Sequence, residues 1–348
     1  MPTRPVCAFL GAICVLAAAD AYAHHSYADY DRTRTLEIEG RLSSIAWQNP
    51  HSHFQVEVTD ASKHVVTWDI DGGSLNNLRR ANTPLDLFNV GDTVKVAGWP
   101  AKRSATRLYG TNMLSAAGQE LVMFGAAKPR WASTVLGLST SDSPLYAGGS
   151  ATDSDSIFRV WSSNFRDPDA GPDSLFKRTP LPLTEAAKKL AAVNHSKDIT
   201  TGCQPKGVPE IMAQPLPMEF IDHGHTITIR LEEYDTVRTI HLQPSAASVP
   251  EPSLLGYSRG HWEDKALVVE TTGINAPYLD QDGDPLGPAA RLVERFSVSA
   301  DGSRLNYLLT VTDPDTFTSP VNLRRSWIWK PGERVLPFNC TDSRAASP

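Results

Sequence analysis

Thr226-Ile-Thr-Ile-Arg-Leu-Glu-Glu233, the pair Tyr234-Asp235, and Thr236-Val-Arg-Thr-Ile-His-Leu-Gln243 together decide the fold class. Ile227, Ile229 and Leu231 fall on one face with Glu233 behind them, and Arg238 shares a face with Ile240 and Leu242. A period of two is the signature of a strand, and the short polar break between the runs is a hairpin signal. The same punctuation recurs over residues 254–262, 265–272, 291–298, 304–312 and 322–329, with tight turns at Glu263-Asp264 and Ala300-Asp-Gly-Ser303. Strands joined by hairpins form a meander. A meander of this size closes most easily as a lipocalin-like antiparallel β-barrel, which usually encloses a ligand cavity.

Residues 35–124 read as a smaller barrel. Strand patterns lie within 36–47, 53–58, 65–70 and 93–97, broken at Asn49-Pro50, Gly91-Asp92 and Gly98-Trp99-Pro100, and a short helix is predicted over 74–81. With a fifth strand in the remainder of the stretch to residue 124, five strands with a helix between the third and fourth is the order of an OB-type barrel, although SH3-like barrels share much of it. From 125 to 201 Ser, Gly, Asp and Pro dominate. The islands there are a lone strand, Ile157-Phe-Arg-Val-Trp161, and a helix over 183–193 capped by Thr184. The chain is therefore expected to be all-β. Its parts are a signal peptide (1–23), an OB-like five-stranded barrel (24–125), a Pro/Gly/Ser-rich linker with one short strand and one helix (126–201), a lipocalin-like antiparallel barrel (202–342) and a tail (343–348).

Arg4, the apolar stretch 6–19 and the small residues Ala21 and Ala23 make a secretory signal with an A-x-A cleavage site, which places the mature chain in a periplasm or outside the cell. That stretch is shorter than the ~20 residues a helix needs to span a bilayer, and no later segment reads as a span. A net charge of −6 without any cluster of Lys and Arg argues against nucleic acid as a partner. Of four cysteines, cleavage leaves Cys203 and Cys340 in an oxidising compartment, where a disulfide is expected. So distant a pair reads as structural, since redox-active pairs are more often a close C-x-x-C.

The motifs His24-His25-Ser26-Tyr27 and Asn49-Pro50-His51 resemble those of a bacterial exported family of unknown function. Its mature chains begin His-His-Ser-Phe or His-His-Ser-Tyr and carry an Asn-Pro-His motif. The second half is similar to a β-barrel partner domain often fused to that family. It carries Cys203-Gln-Pro-Lys-Gly207-Val-Pro209, Gly260-His-Trp262-Glu263, Leu267-Val-Val-Glu270-Thr271, Glu294-Arg295-Phe296 and Asp313-Pro314. Gln243-Pro244-Ser245 replaces an Asp-Gly-Arg turn found in related sequences. The resemblance implies export and a two-domain division, and it implies no chemistry.

Two groups of residues are candidates for chemistry. Cleavage after Ala23 would make His24 the N-terminus, where its α-amine and imidazole chelate a metal ion. A second imidazole from His51 or His53 would complete a three-nitrogen brace suited to copper. The alternative is a solvated His24-His25 tail and surface histidines. In the second barrel, strand parity turns Glu233, Arg238, Glu294 and Asp313 inward, so that an Arg238–Glu294 or Arg238–Glu233 pair is expected. The same groups would anchor a small, largely apolar molecule walled by Tyr257, Trp262, Tyr307 and Trp327. Glu294, His241 or His261 would serve as acid or base if the protein is an enzyme. Asp280-Gln-Asp282-Gly-Asp284 lacks the spacing of a calcium loop and reads as a polar turn. The sequence thus favours a periplasmic binding protein for a small apolar molecule, with copper at the processed terminus. An enzyme acting on such a molecule and an envelope scaffold without ligand are the alternatives.

Overall fold

The computed structural model describes residues 29–125, 127–138, 156–164, 180–196, 203–243 and 251–341. The expected signal peptide, His24, His25 and the tail 343–348 lie outside them. The first sheet contains β1 (Leu36–Ala46), β2 (His53–Thr59), β3 (Val65–Asp71), β4 (Thr93–Pro100) and β5 (Arg107–Ser115), with helix α1 (Leu75–Arg80) between β3 and β4. Neighbours run β3-β2-β1-β4-β5, and a parallel β3–β5 pairing closes them into a five-stranded barrel. Strand order and helix position are those of the OB-like reading. Ser74 caps α1 by accepting the Asn77 N–H.

Closing so small a barrel bends its strands sharply, and glycines stand where backbones meet. A Cβ on Gly40 would lie 2.2 Å from the Glu57 carbonyl oxygen, and one on Gly98 would lie 2.2 Å from that of Tyr109. The register shifts at Leu42/Ser44 and at Ala97/Gly98, so bulges accompany both bends. Leu42, Phe54, Val56, Ile70, Val96 and Leu108 fill the interior. Two further strands extend the sheet, β6 (Gln119–Val122) and β7 (Thr134–Gly137).

The second sheet is a closed nine-stranded barrel. Its strands are β8 (Val160–Ser163), β9 (Met218–Asp222), β10 (Thr226–Leu231), β11 (Thr236–His241), β12 (Tyr257–Glu263), β13 (Ala266–Thr272), β14 (Arg291–Val298), β15 (Arg304–Thr312) and β16 (Val321–Ile328). From β12 to β16 it is the expected antiparallel meander. The β11–β12 pairing is instead parallel, through Ile240↔Ser258 and His241↔Arg259. Residues 242–256 join these strands, and a connection of that length can carry the chain back to the starting end.

The ring closes through β8 and β9, between β16 and β10. The lone strand expected in the connector is therefore a stave of the barrel. The described parts of 126–201 divide between the two sheets. β7 pairs with β6, while helix α2 (Glu185–His195), capped by Thr184 as expected, is held to the second barrel by Asn194 Nδ2 donating to the Gly283 carbonyl.

The two barrels meet at one end of each. Arg80 of α1 donates to both carboxylate oxygens of Glu232 and to Glu333, while Asn76 Nδ2 donates to Glu232 Oε1 at 2.9 Å. Glu232 begins the β10–β11 turn, in which Tyr234 (φ 57°) and Asp235 (φ 50°) are both left-handed. Such backbone is costly for non-glycine residues, and surrounding contacts hold it here. Tyr234 packs edge-on against Phe338, and Asp235 accepts the Phe338 N–H. The expected disulfide is present between Cys203 and Cys340.

Candidate functional site

In the first barrel, cross-strand register gathers a cluster at the end of β2 and β3. His53 lies opposite Asp71, Asp69 opposite Arg107, and Asp71 opposite Tyr109. His53 Nδ1 is 3.3 Å from Asp71 Oδ1, and its Nε2 is 3.5 Å from Asp69 Oδ1. Tyr30 donates its hydroxyl to Asp71 Oδ2, and Arg107 Nε stands 4.0 Å from the same oxygen. Burial opposes a charge on His53, but the two carboxylates outweigh it and raise its pKa to about 9. The hydrogen bond from His53 in turn holds Asp69 below the usual carboxylate range.

An imidazolium facing a carboxylate at each nitrogen has no lone pair for a metal, so His53 is an ion-pair partner in this arrangement. His51 differs. It sits in the loop before β2, and its Nδ1 is 3.0 Å from the Gly72 carbonyl oxygen. A carbonyl only accepts, so Nδ1 carries a proton in this contact, and the tautomer that fits it places the ring's lone pair at Nε2. Two strand positions i and i+2 would share a face, but His51 precedes β2 and follows the Asn49-Pro50 break, and the contacts of the two rings differ. Trp99, Tyr109 and Phe124 pack beside the cluster, with the His51 ring edge-on to Tyr109. Among the described residues no group of three or more His, Cys, Asp or Glu is placed to hold a metal ion.

In the second barrel, the Arg238–Glu294 alternative is the one that forms. Arg238 donates to both Glu294 oxygens, to Ser258 Oγ and to Thr271 Oγ1 at 2.8 Å, and Tyr307 donates its hydroxyl to Glu294 Oε1 at 2.9 Å. Each of these five residues comes from a different strand. Arg238 and Glu294 are 1% and 0% exposed, and Leu292, Phe296, Leu305 and Leu309 are fully buried around them. Burial pushes the Tyr307 phenol well up, and the Glu294 charge adds to that. Both Glu294 oxygens thus accept hydrogen bonds from within the barrel.

The other candidates of this barrel do not converge on that network. Glu233 pairs with Lys206 at 3.0 Å in the β10–β11 turn, away from Arg238. Burial raises Glu210 beside them, while Lys206 stays above its ordinary range because Glu233 and Glu210 outweigh its desolvation. Tyr257 stacks on His241, 4.8 Å between centroids. Trp262 is 42% exposed against Phe158, and His261 lies outside beside Glu263. Asp313 is buried beyond β15, where its Oδ2 accepts the Gly287 N–H. Trp327 is interior, with its ring edge-on to Tyr307.

Sequence reasoning missed Tyr30, Asp69, Asp71 and Arg107. The available signal was the alternation of Asp69 and Asp71 along β3, which a register with β2 would have set against Gln55 and His53.

A family model described as a family of unknown function (DUF6152) matches residues 12–109, which include β1 to β4, α1 and the start of β5. The chain is similar to that family over this segment. No curated protein and no solved structure matches it.

Proposed function

We propose that the chain is an exported binding protein of the bacterial periplasm whose working site is the His51 face of the first barrel, and that this site takes copper. The α-amine and imidazole of His24, exposed by cleavage behind Ala23, and Nε2 of His51 would supply three nitrogens, which suits the tetragonal preference of Cu(II). The observation that carries the reading is the Nδ1 contact of His51 with the Gly72 carbonyl. An acceptor on the nitrogen away from the metal orients a metal-binding imidazole and sets its tautomer. Reach agrees, because the six residues from His24 to Tyr30 span about 20 Å when extended, and Tyr30 is bonded to Asp71. The strand 2–3 face and its loops are also where OB folds bind ligands, which is a fold-level analogy. Export is supported by the signal-like start and the Cys203–Cys340 disulfide, and the resemblance of His24-His25-Ser26-Tyr27 and Asn49-Pro50-His51 to the motifs of an exported family fits a site built on these residues.

The test is copper titration of the full mature chain, with its first residue read by N-terminal sequencing. Protein beginning at His24 should form a one-to-one complex, and His51→Ala should weaken it by about tenfold or more. One extra residue ahead of His24 should abolish the chelate. Equal affinity in all three forms overturns the reading.

A small, largely apolar guest inside the second barrel is a second reading. It is favoured by the buried indole N–H of Trp327, which has no acceptor among the described residues. Such a guest would have to displace packed side chains around Arg238. Native mass spectrometry of protein purified from its host should then detect a retained molecule, and bare protein in every preparation counts against it.

A further inference from the structure

Residues 330–341 follow the last strand of the second barrel, yet they run across the first. Arg80 donates to the Arg334 carbonyl at 2.8 Å, and Asn76 Nδ2 donates to the Pro337 carbonyl at 3.2 Å. Asn49, in the loop that carries His51, donates its Nδ2 to the Phe338 carbonyl at 2.6 Å and accepts the Thr341 N–H at 3.0 Å. Its Oδ1 accepts the Asn76 N–H at 3.1 Å, so this one side chain joins loop, helix and strap. From the other side, Glu232 accepts the Leu336 N–H and Asp235 the Phe338 N–H. Asn49 and Phe338 are 2% and 1% exposed. The strap is thus a layer between two barrels, and its last described residues are bound both to the loop before His51 and, through Cys340, to Cys203.

From this arrangement we infer that the Cys203–Cys340 disulfide is a redox-operated lock on the strap, and that closing it fixes the loop of residues 47–52. Closing the bridge holds Thr341 and Phe338 at high effective concentration against Asn49. Opening it leaves residues 339–341, beyond the buried Phe338, held against the loop by the Thr341 N–H to Asn49 carbonyl hydrogen bond, and so short an exposed stretch opens locally at low free energy. Cys203 is exposed while the strap's inner contacts are buried, so a reductant reaches the lock without unfolding a barrel. The reductant is a dithiol. One of its thiolates attacks Cys203 Sγ, the disulfide breaks, and Cys340 leaves as a thiolate that takes a proton from water. The second thiol then displaces Cys203 as a thiol, and the reductant, having lost two electrons, becomes a disulfide. The two cysteines lie 137 residues apart, and the lock differs from a catalytic pair in that its output is the mobility of a third segment, the loop around Asn49, which is bridged to Cys340.

Hydrogen exchange of the full chain tests this. On reduction by dithiothreitol, peptides covering 47–52 and 336–341 should exchange about tenfold faster or more, while those of β14 and β15 keep their protection. Unchanged protection in both segments overturns the proposal, as does equal loss in β14 and β15, which would make the bridge a general scaffold bond. Asn49→Ala, with the disulfide intact, should loosen the 47–52 loop alone, and full protection there also overturns it. Any effect on copper rests on the metal reading. Titration of the C203S/C340S variant against oxidised protein separates the two, because failure of both to bind copper ends the metal reading while exchange still decides the lock.

Discussion

Arg238 and Glu294, 56 residues apart in the chain, meet inside the second barrel with both guanidinium amino groups on both carboxylate oxygens. Ser258, Thr271 and Tyr307 supply further hydrogen bonds. Removing one partner leaves the other charged in a dry interior, which costs about 3–5 kcal/mol, whereas removing both costs far less. Arg238→Met and Glu294→Leu should each lower unfolding stability by that order, and the double variant should recover most of it. Denaturant unfolding measures this, and single variants within about 1 kcal/mol of wild type would contradict the packing described.

His53 should give the first barrel a pH-dependent stability. Its folded pKa of about 9 is raised above the unfolded value of 6.5, so the contribution is fully present below about pH 6.5 and is lost as pH rises through 9. The shift corresponds to roughly 3 kcal/mol at most. Lys330, lowered to about 8 by burial, works in the opposite direction over higher pH. Comparison with His53→Gln cancels that effect. The stability advantage of wild type over His53→Gln should shrink between pH 7 and 10, and a constant advantage would rule out the ion-pair account.

Gly40→Ala should destabilise the first barrel by about 1–3 kcal/mol, because its new Cβ would meet a backbone carbonyl that cannot move without opening the β1–β2 pairing. Gly118→Ala is the useful control. Its Cβ meets nothing, although φ is 78°, so only backbone strain is added. A Gly40→Ala melting temperature at or above that of the control would show that the close approach is not required.

Arg80→Ala should weaken the junction between the barrels. Glu232 is fully buried and would keep only Asn76 and the Leu336 N–H as partners. A loss of about 3 kcal/mol or more is expected. The unfolding transition should also broaden or split as the barrels lose their coupling, and calorimetry reads both effects. A single sharp transition at the wild-type temperature would mean that the junction carries little.

Local pattern was enough for much of this molecule. β14 and β15 begin and end where alternation places them, Thr184 caps α2 as expected, and the expected bridge between Cys203 and Cys340 forms. These features depend on residues close in the chain or on elimination. The strands that complete the ring were harder to read, because β8 has four residues and β9 only five, too few for a period to stand out.

What only the tertiary structure decided was choice among equals. Glu233 and Glu294 were both inward candidates for Arg238, and the ring's register gave Arg238 to Glu294 and Glu233 to Lys206. His51 and His53 looked alike until β2 and β3 paired, which set two carboxylates around one imidazole and a carbonyl against the other. Alternation states which face a side chain occupies. Which distant strand lies opposite follows from barrel closure, and that depends on every strand at once.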